Sequence, residues 1–294
     1  RNVIPAPFLA PRFEEAHSCT LFSATLTPAH YYRDLLGLPQ DSAWLDVESP
    51  FRAEQLSVQA VRNLSTRYQH RAQSVRPICE LMARQYHERP GNYLAFFSSY
   101  AYLEQVRERF VRDEPDVPVW VQARNMDETA REGFLEQFQE GGRGIGFAVL
   151  GGAFGEGIDL PGERLIGAFV ATLGLPQVNP VNEEIRQRMH SQFGDGYDYT
   201  YLYPGLQKVV QAAGRVIRTQ QDQGVVWLID DRFGQGQVRQ LLPRWWKVES
   251  CRLALPPPEA EPVSRSTTSQ APKRPSRERP HPAQRQGELG FDEH

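Results

Sequence analysis

The sequence predicts an α/β fold, a parallel sheet with helices on both faces, and two observations carry that expectation. Short β-prone runs alternate along the chain with longer runs of helical period. Several of the β-prone runs, LAFF and GVVWLI among them, are apolar almost throughout. A strand that is apolar on both sides has to be covered on both sides, and helices packed on each face of a parallel sheet do this.

In chain order, a strand over 20–23 leads into a helix over 28–36, with Thr27 as its N-cap and Pro28 at its first position. A strand over 57–61 precedes a long helix over 71–89, and a strand over 93–97 precedes a helix over 101–111. The strand at 117–121 is followed by a helix at 127–140, and the strands at 145–149 and 165–170 by a helix at 181–192. A helix over 204–219 and a strand over 225–230 complete the pattern. Ligands of such a sheet gather on loops just past the carboxyl ends of the strands. No repeat of 20 to 50 residues is visible.

The 294 residues allow roughly two domains at about 150 residues each. No apolar run approaches the roughly 18 residues that cross a bilayer, which excludes a membrane-spanning helix. A net charge of -3 excludes an overall basic field, so any nucleic-acid site is a local groove. Cys19, Cys79 and Cys251 lie far apart with no Cys-x-x-Cys pair, which argues against a disulfide scaffold, a zinc site or a self-contained iron–sulfur cluster and fits a reducing cytoplasm. Residue 1 is Arg, and the opening RNVIPAPFLAP has no signal or transit pattern, so the chain reads as a piece of a longer one. From 253 to 294 there are 8 Pro and a single aromatic, too little apolar surface to offset conformational entropy. The folded part is expected to end near Lys247, and 251–294 to be a disordered tail.

Four segments stand out for their chemistry. SATL, with Ser23 and Thr25, follows the first strand and is either a functional segment or a plain helix start. In FFSSYAYLEQV, Ser98, Ser99 and Tyr100 leave a buried strand for a helix; free amides with hydroxyls beside them suit one phosphate, or equally an ordinary cap. GGAFGEGIDLPG places five glycines in twelve residues after a buried strand. Glycine lets backbone approach a phosphate or ribose closely, and Glu156 and Asp159 add acceptors; the alternative is a flexible surface loop. No Gly-Lys-Ser or Gly-Lys-Thr follows, so this is not a Walker A loop. In QAAGRVIRT, Gln211, Arg215 and Arg218 fall on one face of the expected helix, where two guanidiniums either hold a bidentate anion or form a solvated face. Gly214 among them suggests a close neighbour.

The run SATL, FFSSYAYLE, GEGIDLPG, QAAGRVIRTQQDQGVVWLID resembles the second half of a superfamily 2 DNA helicase of the DinG/XPD type, over about residues 18 to 246. The resemblance implies a RecA-like second motor domain over 46–250, preceded in 1–45 by the end of the first motor domain. It implies ATP-driven translocation on single-stranded or forked DNA, 5′ to 3′, with duplex unwinding in repair or replication. ATP and Mg2+ would be held mainly by the first motor domain, and a 4Fe–4S cluster, where the parent has one, would lie upstream as well. Arg215 and Arg218, with Gln211, would act on the γ-phosphate; Gly155, Glu156, Gly157, Asp159, Ser23 and Thr25 would bind ATP and couple its hydrolysis to movement; Ser98, Ser99 and Tyr100 would grip the nucleic-acid backbone. The fragment alone would not hydrolyse ATP.

The residues by themselves leave DNA against RNA open, as they do a non-catalytic docking module with a helicase-like fold. Both arginines argue against the module. Trp245 and Trp246 are expected to close the sheet edge or pack the last helix, and the seven histidines form no triad or ligand pattern. In the tail, Gln286, Leu289 and Phe291 spell Q-x-x-L-x-F, which resembles the peptide that bacterial replication proteins insert into the sliding clamp; the alternative is a plain linker.

Overall fold

The computed structural model describes residues 3–152, 154 and 159–255. Seven parallel strands form one sheet in the order β3-β4-β2-β5-β6-β1-β7. They are β1 (Leu56–Val61), β2 (Asn92–Phe97), β3 (Val119–Val121), β4 (Gly144–Val149), β5 (Gly167–Ala171), β6 (Gly224–Ile229) and β7 (Val248–Cys251). Every residue of β2 and β5 is buried, as the unbroken apolar runs require.

Alternation along β2 divides the core. Leu94 and Phe96 point into one layer with Phe134, Met189, Val209, Ala212 and Ala213. Tyr93, Ala95 and Phe97 point into the other with Ile78, Met82, Leu103, Val106 and Phe110. The helices α5 (Glu128–Leu135), α6 (Pro180–Phe193) and α7 (Tyr203–Ala213) therefore cover one face, and α3 (Arg71–Glu88) and α4 (Tyr100–Asp113) the other. The architecture is RecA-like. Trp246 is buried in the first layer, and Trp245 packs beside it with its ring 5.7 Å from Phe51.

Several expectations need correction. Residues 20–23 form no strand, because no ladder partner lies beside them among the described residues, and Phe22 is 91% exposed. The helix α2 (Ala29–Leu36) has Pro28 as its N-cap, with no side-chain cap from Thr27. The fold does not stop at Lys247: β7 pairs with β1, Val58 opposite Val248 through Val61 opposite Cys251. Besides β7, the elements not foreseen include α1 (Ala6–Glu15), the short α8 (Gly236–Gln240) and a π-helical turn over Asp198–Leu202 leading into α7. Tyr31 of α2 stacks edge-on against Tyr199 and Tyr203, and the Tyr199 hydroxyl donates to Asp34.

Two candidate sites at opposite edges of the sheet

At the carboxyl edge, β2 runs out at Phe97 and α4 starts at Tyr100. Ser99 is its N-cap and accepts from the Tyr102 amide at 3.3 Å. The Ser98 hydroxyl accepts from an Arg71 Nη at 2.8 Å. Arg71 itself lies between two rings, 5.3 Å from Tyr68 and 5.2 Å from Tyr102. Burial, partly offset by hydrogen bonding to Ser74, pushes the Tyr102 phenol far above its ordinary value, so it stays neutral. Arg124 sits 5.0 Å from the Tyr100 ring. This edge therefore interleaves cations with aromatic faces around two serines.

The arginine pair lies elsewhere. α7 ends at Ala213, and Arg215 and Arg218 stand on the stretch that leads into β6, at the amino edge. The Arg215 and Val216 amides reach only three residues back, to Ala212 at 3.4 Å and Ala213 at 3.2 Å, so the helix tightens and stops. Gln211, Arg215 and Arg218 consequently do not share a helical face. Arg215 is 7% exposed, whereas the Arg218 side chain is 36% exposed and its Nε is 3.3 Å from Asp159. Nor does Gly214 adjoin a separate element, since a Cβ there would meet the carbonyls of Val210 and Gln211 in its own helix.

Asp222 fixes this turn. Its carboxylate accepts from the Arg218 amide at 2.6 Å, the Thr219 amide at 2.8 Å and the Thr219 hydroxyl at 2.7 Å. Burial alone would raise the Asp222 pKa, but these hydrogen bonds favour the anion and hold it below the ordinary range. Gln55, just before β1, donates to the carbonyls of Thr219 and Asp222 at 3.1 Å each. The backbone of Arg218 is thus set by two buried polar side chains, while its guanidinium faces outward.

The chemistry-bearing segments therefore do not all gather past the carboxyl ends of the strands, where the ligands of such a sheet are expected. Ser98, Ser99 and Tyr100 lie at one edge, and Asp159, Arg215 and Arg218 at the other. Ser23 and Thr25 are held locally, by the Thr25 amide donating to Ser23 Oγ at 3.2 Å and the Tyr32 hydroxyl donating to the Thr25 carbonyl at 2.8 Å. Gly155, Glu156 and Gly157, and Gln286, Leu289 and Phe291 of the tail, lie outside the described residues. Among the described residues no group of three or more His, Cys, Asp or Glu could hold a metal ion, and no helix is long and apolar enough to cross a membrane. Arg71, Gln55 and Asp222 were missed; of these only Asp222, four residues past Arg218, left a signal, as a candidate acceptor closing a turn.

Residues 82–249 match the family model for the helicase C-terminal domain, more than half of the chain. The ATP-dependent DNA helicase XPD of Sulfolobus acidocaldarius is 24% identical over 224 residues, covering 74% of this chain and 39% of that protein. The ATP-dependent DNA helicase YoaA of Escherichia coli is 28% identical over 218 residues, covering 72% of this chain and 32% of that one. This chain thus spans less than half the length of these relatives. A solved XPD helicase superposes with a TM-score of 0.67 at 20% identity, over 86% of this chain and 46% of that chain, a likeness of fold. With residues 82–249, more than half of its length, matching that model, the chain belongs to the helicase C-terminal domain family.

Proposed function

We propose that this chain supplies the second motor domain of an ATP-dependent DNA helicase that translocates 5′ to 3′ on single-stranded DNA and unwinds forked duplexes in repair or replication. The observation that carries the reading is the amino-edge turn, where an outward guanidinium is held on a backbone fixed by Asp222 and Gln55. A positioned cation of this kind stabilises charge that develops during phosphoryl transfer. Residues 46–253 form the motor unit in this reading, since Cys251 still pairs with β1 and Leu253 with Asn63; 1–45 are the end of the first motor domain, and the residues after 253 the tail.

The residues here fit the phosphate side of an ATP site. Arg218 and Arg215 act on the γ-phosphate with Gln211 close by, and Asp159 holds the Arg218 guanidinium until nucleotide arrives. In this reading Gly155, Glu156 and Gly157 take part in binding ATP and coupling its hydrolysis to movement, together with Ser23 and Thr25. The Walker A lysine and the Mg2+ ligands belong to the first domain, as would the cysteines of a 4Fe–4S cluster. At the other edge, Ser98, Ser99 and Tyr100 take the sugar-phosphate backbone with little sequence preference. Such a protein works in the cytoplasm.

DNA-stimulated ATPase assays test this reading. The chain alone is expected to be inactive, and a parent with both motor domains active. Asp159→Ala in the parent should slow turnover and unwinding while leaving the melting temperature unchanged, because the Asp159 side chain is 75% exposed and an ion pair so exposed adds little stability. Hydrolysis by the chain alone would remove the need for a partner domain, and a large drop in melting temperature would make Asp159 structural. For the tail, a labelled peptide of residues 282–294 is expected to bind purified bacterial sliding clamp and to lose binding with Leu289→Ala and Phe291→Ala together. Indifference to that double change would leave the tail a linker.

A further inference from the structure

The carboxyl edge carries a small cavity that none of the motif residues except Ser98 explains. It measures about 160 Å³, and its lining includes Ser98, Leu150, Thr172, Gly174, Gln177 and Lys208. Its position follows from a close backbone contact. Gly174, just past β5, has φ +74°, and a Cβ there would lie 2.4 Å from the Gly205 carbonyl oxygen. In turn, a Cβ on Gly205 would come 3.0 Å from the Leu173 carbonyl oxygen. Without side chains at either position, the first turns of α7 press onto the end of β5. Lys208 lies three residues after Gly205 and so on the same helical face. Its stem crosses Gly151, at φ +77°, where a Cβ would come within 3.0 Å of the Lys208 Cδ. The ammonium is thereby delivered to the mouth between the ends of β2, β4 and β5.

The polar groups there are arranged to donate. Ser98 Oγ already accepts from Arg71, and Thr172 Oγ1 accepts from the Gly174 amide at 3.0 Å, so each hydroxyl keeps its hydrogen to give. Thr172 is 5% exposed. Lys208 makes no hydrogen bond or ion pair with any described residue, and none of the described residues that line the cavity is a carboxylate. Two hydroxyl donors and an ammonium, with no acidic group among the described lining residues, select an anion.

We propose that Ser98, Thr172 and Lys208 form a pocket for a single phosphate, occupied by one backbone phosphodiester of a bound single strand; the inference rests on the reading of this edge as the nucleic-acid side. The volume is below the roughly 300 Å³ at which small-molecule sites begin, so the pocket takes a group rather than a whole nucleotide. A strand rises about 3.3 Å per residue, so the pocket stands about 17 Å or more along the sheet from the arginine turn. One nucleotide's phosphates do not serve both edges.

The test is fluorescence anisotropy of a labelled oligothymidylate with this chain, read as affinity across a salt series. Lys208→Gln should flatten the log–log salt slope by about 0.7 and weaken binding roughly fivefold at about 0.1 M salt, with Lys208→Arg restoring most of it. A single neutral methylphosphonate, scanned along the oligonucleotide, should weaken wild-type binding at one register and leave Lys208→Gln indifferent. A Lys208→Gln protein with wild-type slope and affinity, beside a Tyr100→Ala protein that binds poorly, would overturn the pocket and leave the reading of the edge standing. Loss of binding by wild type and variants alike would overturn both. Displacement of the strand by inorganic phosphate at constant ionic strength, in wild type but not in Lys208→Gln, would assign the pocket to free phosphate and overturn the backbone assignment.

Discussion

Arg218→Ala, placed in a parent that carries both motor domains, is expected to bind ATP nearly as before and to hydrolyse it slower by about three powers of ten or more. The split follows from what the side chain touches. Its backbone is fixed through Asp222, so the substitution removes the guanidinium without releasing the turn. In the proposed role the guanidinium meets charge that grows only as the γ-phosphoryl transfers, so its loss falls on turnover rather than on affinity. Arg218→Lys should rescue little, because an ammonium lacks the planar fork. Arg215→Ala should behave differently: that side chain is 7% exposed, so its removal should lower stability as well as rate. Single-turnover hydrolysis beside equilibrium nucleotide binding separates these cases. An Arg218→Ala parent that turns over within tenfold of wild type would remove Arg218 from the chemistry.

Much of this architecture was legible in the sequence, and the misses have physical causes. The buried strands announced themselves because a central parallel strand has to be apolar on both faces, as NYLAFF and GVVWLI are. VESC gave no such sign, since an edge strand of four residues with two exposed needs no apolar run. Residues 20–23 have strand-prone side chains, but propensity makes no strand without a neighbouring ladder. The helix expected over 204–219 ends at Ala213, although Val216 and Ile217 continue its apolar period. What stops it is Asp222 capturing the amides of Arg218 and Thr219, an interaction formed only when the chain turns back. The serine and glycine segments were visible because their compositions are costly unless used. Lys208 was not, since a lone lysine on a helix looks like a solvated one until Gly174 and Gly205 bring distant backbones together.

Asp230→Asn is expected to destabilise the folded chain by about 3–5 kcal/mol at neutral pH, the penalty of leaving a desolvated charge without its partner. Asp230 closes β6 and is fully buried. Its carboxylate accepts from Arg232 Nε at 2.6 Å and Nη at 3.0 Å, from the Thr66 amide at 3.0 Å, and from the Thr66 hydroxyl. Arg232 is only 15% exposed on its side chain, so water cannot replace the lost partner. Burial by itself would raise the Asp230 pKa, but the hydrogen bonds and charge of Arg232, with Thr66, outweigh it and hold the carboxyl at about 2. Because that value lies below the ordinary 3.8, the stabilisation is complete above the unfolded value and is lost as pH falls through the folded one. The wild-type advantage over Asp230→Asn, measured by urea denaturation, should hold from neutrality to about pH 4 and shrink below it by roughly 2–3 kcal/mol in total. The same carboxylate anchors Thr66 on the loop that leads to Arg71, and Arg71 donates to Ser98. DNA affinity should therefore fall in Asp230→Asn even where the domain remains folded. A variant within 1 kcal/mol of wild type, or a difference that does not shrink on acidification, would mean that the ionised Asp230 carboxylate, held by Arg232 and bound to Thr66, is not what fixes the end of β6 against the β1 loop.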